Sequence, residues 1–160
     1  MSFQDHHWYM KMALEEADKA YRMGEVPVGA VIVSGQNSVL AKAHNLKEAN
    51  NNSCAHAEIL SIIQASKKIS NWRLSRSTIY VTLEPCIMCL AAISQSRLET
   101  LIFGTYDNKG GALSLGYNLH RDLRLNHRFI VMGGIEHYQC SKMLSQFFKE
   151  RRKEHSSKWT

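Results

Sequence analysis

The segment LEPCIMCL, residues 83 to 90, sets Cys86 and Cys89 three positions apart directly after Pro85, and AHAEI, thirty residues upstream, carries His56 and Glu58. Two thiols at this spacing suit a disulfide, a redox pair or part of a metal site. The start of the chain, MSFQDHHWYMKMALEEA, lacks the basic stub and clean apolar run of a secretory signal, and no later stretch approaches the ~18 apolar residues of a membrane span. A cytoplasmic protein with no membrane association is therefore expected, and in that reducing compartment a structural disulfide is disfavoured. A pair of thiols alone leaves metal and redox chemistry both open, because zinc needs three or four ligands.

His56 is the candidate third ligand. Its segment and that of the cysteines each follow a strand-like run, so two helix starts can meet at one edge of a sheet, where ligand sites in open α/β sheets tend to lie. Residues at i and i+2, as His56 and Glu58 are, do not share a helix face, so a common site must lie off the helix end. Cys86 and Cys89, at i and i+3, fit a first helical turn, with Pro85 where a missing N–H does least harm. Two helix N-termini aimed at the metal would favour thiolate over thiol. One histidine and two thiolates leave a fourth tetrahedral position to water, the arrangement of a catalytic zinc, and Glu58 is then placed to move protons.

The elements needed to position these groups are legible in outline. Met10, Ala13, Leu14, Ala17, Ala20 and Tyr21 predict a helix over residues 5 to 23, closed by Gly24. VPVGAVIV, residues 26 to 33, reads as a buried strand, followed by a turn and a second strand ending near Asn45. A helix from Ala55, a strand STIYVTL, a short helix through Ser94 and a strand TLIFG at 100 to 104 follow, the last two strands expected parallel. Residues 105 to 127 hold Gly110, Gly111 and Gly116 without a steady period, a long loop of the kind that serves function. FIVM at 129 to 132 and an apolar stripe from Cys140 to Phe148 complete the series. The order predicts an α/β fold, a three-layer α-β-α sandwich around a mixed five-stranded sheet.

With 160 residues, 44% of them hydrophobic and 21% charged, the chain suits one compact domain over 1–160. Its net charge of +6 favours polyanions, and the excess gathers in KERRKEHSSK at 149 to 158. Arg151 and Arg152, with Phe148 for stacking, are candidate RNA contacts; the other reading of this end is a solvated helix face and a mobile basic tail.

At EVPVGAVIV, HN at 44 and 45, AHAEI, IYVTLEPCIMC, FG at 103 and 104, Asp107, NHR at 126 to 128 and LSQFFKERR, the chain resembles the zinc-dependent nucleoside and nucleobase deaminases. Within them it is most similar to the bacterial tRNA-specific adenosine deaminases, over nearly its whole length. The resemblance implies a cytidine deaminase-like fold, one Zn2+ per subunit on His56, Cys86 and Cys89, and a homodimer. It implies conversion of the wobble adenosine of a tRNA anticodon stem-loop to inosine, with Glu58 as proton shuttle. Asn45 would bind the purine ring, and Val28, Pro85 and the Ala57 N–H would help seat it. Asp107, an acid on the long loop of a basic protein, suits a ribose 2′-hydroxyl donor, or else shapes its own turn. Cys54 stands where the family more often has Ser or Thr and is expected to be a small buried or capping side chain; HRDLRLNH lacks a proline usual in the family. Two other functions stay open: a deaminase of free nucleosides, nucleotides or bases, of cytosine or guanine type, and an RNA-binding module with a purely structural zinc.

Overall fold

A computed structural model describes residues 3–156; the end of the basic segment beyond Ser156 lies outside the described residues. Helix α1 (Phe3–Arg22) leads into strands β1 (Gly29–Val33) and β2 (Val39–His44), then α2 (Ala57–Lys68), β3 (Thr78–Leu83), α3 (Ile87–Gln95), β4 (Thr100–Thr105), β5 (Ile130–Gly133) and α4 (His137–Ser156). The sheet has the order β2-β1-β3-β4-β5, antiparallel from β2 to β3 and parallel from β3 to β5. No helix among the described residues is long and apolar enough to cross a membrane.

The alternation of side chains along the central strands explains the layers. Ala30 and Ile32 of β1, with Ile79 and Val81 of β3, pack toward Ala57 and Ala65 of α2 and Leu90 and Ile93 of α3. Val31, Val33 and Tyr80 face the other way, onto Met10 and Ala13 of α1 and Cys140 of α4. Every residue of β1 is buried, which is why its sequence shows a continuous apolar run instead of alternation. Gly29 is required where α1 crosses β1: a Cβ there would lie 2.0 Å from the Ala13 carbonyl oxygen and 2.5 Å from the Ala17 nitrogen.

Two expectations change. Residues Val26 to Val28 are not strand: Pro27 has no N–H to give a ladder, and the Val28 amide bonds instead to the Val26 carbonyl 2.8 Å away. This irregular segment becomes a wall of the candidate site. The helix expected from Ala55 starts two residues later, at Ala57, with His56 as its cap; it buries Ala57, Glu58, Ser61 and Ala65, and Ile63 is 46% exposed. The long connection from β4 to β5 carries only a 3₁₀ turn, Leu119–Arg121, in place of a crossover helix.

Candidate active site

His56 is the N-cap of α2 and Cys86 the N-cap of α3, each with extended backbone (φ −76°, ψ 152° and φ −70°, ψ 171°), and neither side chain caps its own helix. Both are left free to face each other. The His56 Nδ1 lies 3.7 Å from the Cys86 Sγ and 3.6 Å from the Cys89 Sγ. Zinc bonded tetrahedrally to one nitrogen and two sulfurs would set each N···S edge at about 3.5 Å, so the triangle fits that ion. These three form a group that could hold a metal, all donor atoms within 4.8 Å of one another. Because His56 is a cap and Glu58 the second helical residue, the two escape the i, i+2 divergence of a helix flank and reach one site off the helix end. Cys54, expected buried or capping, is exposed instead, its Sγ beside the Ser53 hydroxyl, in the turn that leads into α2.

The charges agree with a cation site. A hydrogen bond from the Cys89 thiol, reinforced by His56, pulls Cys86 down to about 4. Cys89, which keeps the proton of the pair and is more deeply buried, is pushed up. His56 is raised by its bond to Cys86. Burial pushes the Glu58 carboxyl up to about 7. A thiolate beside a second thiol and an imidazole is a donor set that a divalent cation would neutralise and complete.

Beside it opens a cavity of about 210 Å³ whose lining includes Val28, Asn45, Ala57, Glu58, Cys86 and Asp107. The Asn45 amide nitrogen is directed at Glu25 Oε2 (3.3 Å) and the Val26 carbonyl (3.4 Å), so its Oδ1 is the atom left for a ligand. Pro85 does not join this lining. It precedes the Cys86 cap, and its carbonyl accepts the Ala112 N–H at 2.9 Å. Asp107 Oδ1 accepts from the amides of Lys109 (3.0 Å) and Gly110 (3.1 Å), so one oxygen shapes the turn.

A second cavity, about 660 Å³, shares Val26, Leu83 and Asp107 with the first and is bounded by Tyr106, Phe148 and Arg152. Two of the three proposed RNA contacts therefore adjoin the site. Arg151 turns elsewhere: it donates to the Gly24 carbonyl, sits 5.4 Å over the Phe147 ring and pairs with Glu154. Two buried carboxylates at the site are not singled out by the sequence: Glu84, which lines the cavity, and Glu25, which accepts from Asn45. The signal for Glu84 was present, a charge wedged between an apolar strand and Pro85; Glu25 offered none beyond its place before a buried run.

A model of MafB19-like deaminases matches residues 4–152. The tRNA-specific adenosine deaminase of Bacillus subtilis is 48% identical over 145 residues, covering 91% of this chain and 89% of that protein. That of Haemophilus influenzae is 44% identical, covering 91% and 84%. The chain belongs to the tRNA-specific adenosine deaminase family. A solved structure from work on A-to-I editing by tRNA:A34 deaminases superposes with a TM-score of 0.81 at 38% identity, covering 86% of this chain and 99% of that one. The guanine deaminase of Nitrosomonas europaea shares the fold, with a TM-score of 0.75 at 21% identity over 88% of this chain and 83% of its own.

Proposed function

We propose that this protein converts adenosine to inosine at the wobble position of a tRNA anticodon, in the cytoplasm, with release of ammonia. The observation that carries the reading within the family is the His56, Cys86, Cys89 triangle beside the buried Glu58 carboxyl at the head of an open cavity. Zinc on those three residues would supply a water acidic enough to act as nucleophile near neutral pH. As the water oxygen bonds to purine C6, Glu58 takes its first proton and passes it to N1; Glu58 then takes the second proton from the new C6 hydroxyl and passes it to the amine, so that the C6–N bond breaks and ammonia leaves. Burial, which raises the Glu58 carboxyl above its ordinary range, favours its protonated form and so the return of each proton to the substrate. Asn45 Oδ1 accepts from the base edge. The Ala57 N–H, at the first position of α2 and without an intrahelical acceptor, donates to it.

Around the cavity, Arg152 meets phosphate and Phe148 stacks on a neighbouring base of the anticodon stem-loop. Asp107 Oδ2, the oxygen not used in the turn, accepts from a ribose 2′-hydroxyl. The active form is a homodimer: Ile63 of α2 and Ile87 of α3, 46% and 42% exposed, lie on adjacent helices over one sheet face. Zinc-loaded protein incubated with bulk tRNA and, separately, with free nucleosides and bases decides the function. Inosine in tRNA alone is expected; ammonia from free guanine or cytosine, with tRNA untouched, would favour the free-base enzyme, and none from either would leave a binding module.

A further inference from the structure

Glu84 is a buried carboxylate, 2% exposed, two residues before a proposed metal ligand. Its donors come from one loop. Oε2 accepts the Asp107 N–H at 3.0 Å and the Ser114 hydroxyl at 2.6 Å, and Oε1 accepts the Ser114 N–H at 2.7 Å. Gly111 lies flat against the same group: a Cβ on it would stand 2.3 Å from the Glu84 Cδ. The Pro85 carbonyl adds the Ala112 N–H, so this loop is strapped to the turn that bears Cys86.

A buried charge is costly unless its lone pairs are used, and an apolar side chain would fill the space without that cost. Three donors converging on two oxygens require an acceptor-only group: a glutamine would turn its own N–H2 against one of them. Asp107 closes its turn through Oδ1, and its backbone N–H is fixed by Glu84, so the direction of its side chain is set from both ends. We propose that Glu84 is a positioning residue, which holds Asp107 at the mouth of the cavity and locks the RNA-facing loop to the metal-bearing turn. The role rests on the RNA reading above; the strap itself does not.

The test uses full-length, zinc-loaded protein with Glu84→Gln, Gly111→Ala, Asp107→Ala and the double variant Glu84→Gln/Asp107→Ala. Glu84→Gln is expected to keep one zinc per chain and to lose ~10-fold or more of the hydrogen-exchange protection of the Asp107 and Ser114 amides. Its KM for tRNA rises ~10-fold with a smaller fall in kcat. Gly111→Ala, which displaces the carboxylate without changing its charge, reproduces both effects. In the double variant the KM matches that of Asp107→Ala alone, because one residue acts through the other. Multiplying effects, a fall in kcat at unchanged KM, or lost zinc would place Glu84 on the metal side and overturn the proposal. If the unaltered protein makes no inosine in tRNA, the RNA reading fails, and unchanged exchange at the two amides would separately defeat the strap.

Discussion

Cys54 and Cys89 are both cysteines within reach of His56 in sequence, and their surroundings separate them. Cys89 is buried with its sulfur 3.6 Å from the imidazole, whereas Cys54 is exposed beside a serine. Cys89→Ser is therefore expected to lose bound zinc and Cys54→Ser to retain it, as read by elemental analysis of the purified proteins. Glu58→Ala should keep zinc and cost ~10²–10⁴ in single-turnover rate, the usual worth of a general acid-base group. The same carboxyl has a pH signature in chelated, metal-free protein. Its ordinary value of 4.5 applies to the unfolded chain and about 7 to the fold, so the folded state holds a proton that the unfolded one releases between them. Stability from this group is full below 4.5 and is lost as pH rises toward about 7. Melting temperatures of wild type minus Glu58→Gln should accordingly fall from pH 5 to pH 7; a constant difference would count against a buried, neutral Glu58.

The strands and helices that carry the site were legible because their signals are local. The buried run at β1, the strand-helix-strand unit around Cys86 and the first helix all follow from periodicity and breakers. The position of the site off the helix end was legible too, from the spacing of His56 and Glu58; that His56 is the cap of a helix beginning at Ala57 was not. The Val26 to Val28 segment was not, because apolar content alone cannot tell a cavity wall from a ladder, and Pro27 outweighs it. Arg151 and Arg152 read alike in sequence, and only the packing of α4 against Gly24 and Phe147 sends them to different tasks. Close approach of elements is equally invisible. Gly29→Ala puts a methyl 2.0 Å from the Ala13 carbonyl oxygen, so α1 must back away from the sheet. Overpacking of this kind costs roughly 1–3 kcal/mol, or a Tm about 3–10 °C lower by differential scanning calorimetry.

The whole molecule carries a net charge of +6, and one of its basic side chains, Arg152, borders the second cavity. Arg152→Ala should flatten the salt dependence of tRNA binding by about one unit of slope, the loss of one phosphate contact. Arg151→Ala should leave that slope alone and instead lower thermal stability, since it unties α4 from the end of α1; fluorescence titrations across a salt series, with parallel melts, separate the two. The triangle of donors also has a history in time. His56 precedes Cys86 by 30 residues, and the two face each other only after β3 has joined β1 across the centre of the sheet. On a ribosome adding ~5–20 residues per second, His56 is made ~2–6 s before its first sulfur partner. Assembly of this donor set is thus a late event, and a nascent chain halted between α2 and β3 holds His56 without the two sulfurs that complete the triangle.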